Sequence, residues 1–81
     1  MKTIELSPSD GRKSFYGKAV VETDEKGNET LYSYGTPIIR RSKRGVLHRL
    51  WDGWSATTGR HIKAFCALNK REFSELKLEN Q

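Results

Sequence analysis

Three groups of residues in this chain are of types that could do chemistry. The first is basic: Arg40, Arg41, Lys43, Arg44, Arg49, Arg60 and Lys63 lie close together, and between residues 40 and 71 nine Lys or Arg stand against the single acid Asp52. Cations at that density neutralise phosphates and release the counterions condensed on a nucleic acid, so the pattern points to an acidic partner, DNA or RNA above all. The plain alternative is a solvated hairpin tip, the usual fate of a charged turn. The second group is Ser55, Thr57, Thr58 and His61. With Arg60 and the positive end of a helix dipole, these side chains could hold an anion; the hydroxyls equally suit a capped strand-to-helix junction that binds nothing. The third is aromatic. Tyr32, Tyr34, Trp51 and Trp54 have faces on which bases stack, and in a small core such residues also serve as packing.

Other chemistries find little footing. His48, His61 and Cys66 form neither a Cys-x-x-Cys nor a paired-His spacing, so no metal is expected. Ser55, Thr57 or Cys66 as a nucleophile, with Asp52 and His61 as a relay, would rest on adjacency in sequence alone, and the phosphate-cradling Gly-x-x-x-x-Gly-Lys-Ser/Thr loop is missing. No catalytic residue and no cofactor are therefore expected. A lone cysteine allows no internal disulfide and suits a reducing compartment. No apolar run approaches the roughly 18 residues of a membrane span, and Met1–Glu5 lacks the apolar stretch of a signal peptide. A cytoplasmic protein without a membrane partner is expected.

The elements that must position these groups follow from period and punctuation. With 81 residues the chain makes one small domain, expected over residues 14–77, with an extended lead-in over 1–13 and a frayed tail over 78–81. Ser7-Pro-Ser-Asp-Gly11 is a run of turn formers closing the lead-in. A strand is expected over 14–23, where Phe15, Gly17, Ala19 and Val21 share one parity. A polar turn at 24–28 leads to a second strand over 29–39, bent or placed at an edge near Gly35 and Pro37. A basic turn over 40–45 precedes a third strand over 46–51. Both parities of these strands carry apolar residues, so the pattern does not name the buried face. From about residue 58 a helix places Ile62, Phe65 and Cys66 on one stripe facing the sheet. Thr57 or Thr58 is the expected cap, ahead of Ser55. Asn69 followed by Glu72 has the form of a capping box, so two versions stand: the helix breaks at 68–69 and restarts as a short second helix, or it continues and aligns Lys70 and Arg71 with Arg60 and Lys63. The expected fold is thus α+β: a three-stranded antiparallel meander packed by a C-terminal helix, either continuous or broken in two.

The segments Gly11–Ala19 (GRKSFYGKA), Leu31–Thr36 (LYSYGT) and Trp51–Ile62 (WDGWSATTGRHI) resemble those of a small, functionally uncharacterised family found in phages and mobile elements of gut bacteria and Firmicutes. The resemblance covers most of residues 11–66 and implies a genomic setting, not an activity. Charge and setting together lead to a non-catalytic accessory protein that contacts nucleic acid through residues 40–71. The alternative is an interaction module that inhibits or redirects a host protein, as a homo-oligomer through an exposed strand edge if it assembles.

Overall fold

The computed structural model describes residues 2–6 and 17–79. These form a sheet of five antiparallel strands in sequence order: β1 (Lys2–Glu5), β2 (Ala19–Thr23), β3 (Glu29–Ser33), β4 (Thr36–Arg41) and β5 (Leu47–Arg49). Helices α1 (Ala56–Cys66) and α2 (Lys70–Glu75) follow. The α+β class and the meander are as expected, but the sheet has five strands where three were anticipated.

The two additional strands have separate causes. The lead-in residues 2–5 pair with β2. The segment expected as one strand over 29–39 is a hairpin, because Tyr34 (φ 52°) and Gly35 (φ 81°) both lie in the left-handed region. Positive φ at two consecutive residues makes the tight reversal whose twist suits paired strands, and glycine adopts it without strain. Ser33 accordingly faces Thr36 across the turn. The loop expected at Ser7–Gly11 and the start of the strand expected from residue 14 lie outside the described residues, as do residues 80 and 81.

One row of side chains crosses all five strands, Ile4, Val21, Leu31, Ile39 and Arg49. Alternation along each strand therefore turns Ala19, Val21, Leu31 and Ile39 to the face that the helices cover, where all four are buried. A bulge opposite Leu31 and Tyr32 inserts Ile38 into β4, which lets the consecutive Ile38 and Ile39 both be buried. That irregularity is why parity alone does not name the inner face. Ile62 and Phe65 of α1 and Phe73 of α2 complete the core, each such burial stabilising the fold by about 1.5–3 kcal/mol before ordering costs. Cys66, expected beside them, packs at the margin and is only partly buried.

Helix α1 starts two residues earlier than expected. Ser55 is its cap, with φ −141° and ψ 159°, and its Oγ accepts from the Thr58 N–H at 3.1 Å. Thr58 is buried inside the first turn and directs its hydroxyl to Ser33, so a tertiary bond takes the hydroxyl that the sequence offers as a cap. The helix ends at Ala67 in the left-handed region (φ 62°), its N–H donating to the Lys63 carbonyl at 2.9 Å. Asn69 then caps α2 with both bonds of a capping box: Glu72 N–H to Asn69 Oδ1 at 2.8 Å and Asn69 N–H to Glu72 Oε1 at 3.1 Å. The break falls where the sequence indicated. The tail is tied down as far as Glu79, since Leu78 forms a parallel bridge with Arg49 and the Glu79 N–H donates to the Arg49 carbonyl at 2.8 Å.

Candidate functional site

The seven cations singled out in the sequence divide into two sets. Arg41 is an internal clamp: Nε and Nη2 donate to Glu29 Oε1 at 3.0 and 2.8 Å, Nη1 donates to the Phe65 carbonyl at 3.1 Å, and the guanidinium lies 4.4 Å from the Phe65 ring centroid. It thereby satisfies a carbonyl in the last turn of α1, where the helix has no further N–H to offer. Arg49 donates to the Trp51 carbonyl at 2.9 Å and the Ser74 carbonyl at 3.3 Å while lying over Phe73. Arg40 pairs with Glu79 at 2.9 Å, and His48 contacts the same carboxylate. These three arginines hold the sheet to the helices and the tail.

Lys43 and Arg44 are exposed in the turn between β4 and β5, and Arg60 and Lys63 are exposed on α1. That turn repeats the bonding of the one between β2 and β3. Ser42 N–H donates to the Val46 carbonyl and Gly45 N–H to the Ser42 carbonyl, matching Asp24 with Asn28 and Gly27 with Asp24. Asn28 Oδ1 accepts from the Lys43 N–H at 3.1 Å and joins the two tips. Backbone hydrogen bonding, from Asn28 first, holds the Asp24 carboxyl below its ordinary range, so this end of the sheet carries acid beside its bases.

The second group lies at the other end of α1. Ser33 Oγ is 2.8 Å from His61 Nδ1 and 3.1 Å from Thr58 Oγ1, and all three residues are buried. Burial, and then the charge of Arg60, hold the His61 imidazole below its ordinary value, so near neutral pH it is uncharged. The expected anion-site residues are thus brought together, but Ser55 caps the helix and Thr58 and His61 bond to Ser33. Burial pushes the Cys66 thiol up, which favours the protonated form over a thiolate. Among the described residues no group of three or more His, Cys, Asp or Glu side chains could hold a metal ion, and no helix is long and apolar enough to cross a membrane.

Beside this network opens a cleft of ≈ 380 Å³, lined by Tyr34, Trp51 and Trp54 with Ser33, Ile38 and Thr58 further in and the hydroxyls of Thr36, Ser55 and Thr57 also present. Trp54 reaches its position because α1 has a glycine there: a Cβ on Gly59 would stand 2.5 Å from the indole Cζ2. Its other neighbour is Phe73, at 5.9 Å between ring centroids. Tyr34, held by the tight turn, is 59% exposed and lies 5.9 Å from the His61 ring, with Lys18 Nζ 5.9 Å from its own ring centroid.

A family model matches residues 4–80, nearly the whole chain. The chain belongs to that family, the family of unknown function DUF8033. No curated protein and no solved structure matches it. The three segments that carry the resemblance in the sequence correspond in part to the cleft: Tyr34 comes from the second, and Trp51, Trp54 and Ser55 from the third. Sequence reasoning passed over Ser33 and Lys18. The available signal for Ser33 was a small polar residue at an otherwise apolar strand position, and it becomes informative only when His61 is placed opposite.

Proposed function

We propose that this is a small non-catalytic accessory protein of a phage or mobile element that binds nucleic acid through phosphate contacts. The contact residues are Lys43, Arg44, Arg60 and Lys63. The observation that carries this reading is the bond from Arg41 to the Phe65 carbonyl. It ties the end of β4 to the last turn of α1, so the turn bearing Lys43 and Arg44 and the helix end bearing Lys63 occupy one end of the molecule, with Arg60 one turn back along the exposed side of the helix. Arg40, Arg41 and Arg49 contribute indirectly by holding that arrangement.

Fluorescence anisotropy with labelled DNA and RNA strands across a salt series tests it. Binding should weaken steeply with salt, and the Lys43→Ala, Arg44→Ala, Lys63→Ala triple variant should lower the slope of log K against log salt by about one unit per phosphate contact removed. Binding that is absent at low salt, or indifferent to the triple variant, would sink the reading and leave a host-protein interaction module in its place.

A further inference from the structure

Of the two groups of candidate residues not absorbed by phosphate binding, the hydroxyls Ser55, Thr57 and Thr58 and the aromatics Tyr34, Trp51 and Trp54 meet in the cleft at the N-terminal end of α1, while Tyr32 and His61 do not line it. We propose that this cleft takes an unpaired nucleobase of a bound single strand. The proposal rests on the nucleic-acid reading above and adds to it where the base goes.

The occupant's chemistry follows from the lining. Among the described residues none that lines the cleft is charged, which suits an uncharged group. Tyr34, Trp51 and Trp54 offer aromatic surface to a flat partner, which gains by stacking whatever its sequence identity. Thr36, Ser55 and Thr57 add hydroxyls, each able to donate or accept, and so able to meet the mixed edges of any base. A sugar would also lie against a tryptophan, but its several hydroxyls call for carboxylates and amides, and none lines the cleft among the described residues. The volume of ≈ 380 Å³ falls at the lower end of the roughly 300–1,000 Å³ of small-ligand sites.

Tyr34 is placed for the same role. A tyrosine in the left-handed region is uncommon, and here the strained conformation holds a ring 59% exposed at the side of the cleft. Core packing does not account for it, whereas a stacking platform needs that exposure. Lys18, beside the same ring, supplies a cation for the phosphate next to the inserted base. Helix length fits a short strand as well. Helix α1 has 11 residues, about 16 Å. Arg60 lies along it between the cleft and the basic end that carries Lys63, so a strand of a few nucleotides with one base in the cleft would bring its further phosphates past these cations.

The chain's two tryptophans both line the cleft, so intrinsic fluorescence reports on it alone. Oligo(dT), oligo(rU) and an abasic strand of equal length are titrated into the full chain, following tryptophan emission and, in parallel, anisotropy of the labelled strand. The base-bearing strands should quench the emission and bind about ten-fold more tightly than the abasic one, and comparing dT with rU tells DNA from RNA preference. Tyr34→Asn, asparagine being at ease at positive φ, should remove the difference and leave abasic affinity unchanged; Tyr34→Gly serves if that variant folds poorly. Equal binding of base-bearing and abasic strands without quenching overturns the cleft proposal and leaves phosphate binding standing. No binding of any strand at low salt overturns both.

Discussion

Arg41→Ala removes three interactions made by one guanidinium. The ion pair with Glu29 joins side chains 31% and 32% exposed, so it is counted at the surface value of about 0.2–1 kcal/mol. The bond to the Phe65 carbonyl adds about 0.5–1.5 kcal/mol, and the contact with the Phe65 ring about 0.5–1 kcal/mol. The expected loss is therefore about 1.2–3.5 kcal/mol, read in urea melts followed by circular dichroism. Arg41→Lys should recover only part of it, because an ammonium cannot reproduce the planar fork that serves Glu29 and the carbonyl together. Glu29→Ala should cost no more than the ion-pair share, and a double-mutant cycle between the two should return that share as coupling. A loss below about 0.5 kcal/mol for Arg41→Ala, the range of ordinary surface substitutions, would refute the clamp and return Arg41 to the set of phosphate contacts.

Three further expectations follow from the local geometry. Ser55→Ala should cost about 0.5–2 kcal/mol and the exposed Thr57→Ala close to nothing, because Ser55 makes the capping bond; equal effects in chemical melts would place the cap elsewhere. Gly59→Ala should destabilise despite the helix propensity gained, since the added methyl meets the Trp54 ring; a cost of about 1–3 kcal/mol with altered tryptophan emission is expected, and a stabilised variant would show that the ring gives way. His61 is held below its ordinary 6.5 by burial and then by Arg60, so protons favour the unfolded chain. Its contribution to stability is whole above about 6.5 and is lost as pH falls through the lower folded value, and the acid-side decline of the urea midpoint should be shallower in His61→Gln; an identical decline would assign it to other groups.

What the sequence determined by itself is what short-range chemistry settles. The Asp24–Asn28 turn closes through bonds spanning four residues or fewer. The break between the helices is written in Asn69 and Glu72, whose reciprocal bonds span three. The stripe of Ile62 and Phe65 marks the face of α1 that ends in the core, because helical period brings the two to one side, whereas Phe73 reaches the same core from the separate helix α2. The reversal at Tyr34 and Gly35 was only half legible: glycine signalled an interruption, but pairing across the turn decided between a bend and a hairpin. Tertiary structure alone decided the roles of the arginines and the hydroxyls. Glu29 lies 12 residues from Arg41, Glu79 lies 39 from Arg40, and Ser33 lies 28 from His61. A basic run records how much charge a segment carries. Which of those charges faces solvent depends on where distant carboxylates and carbonyls are brought by the packing of the sheet against the helices, and a separation of that kind leaves no period in the sequence.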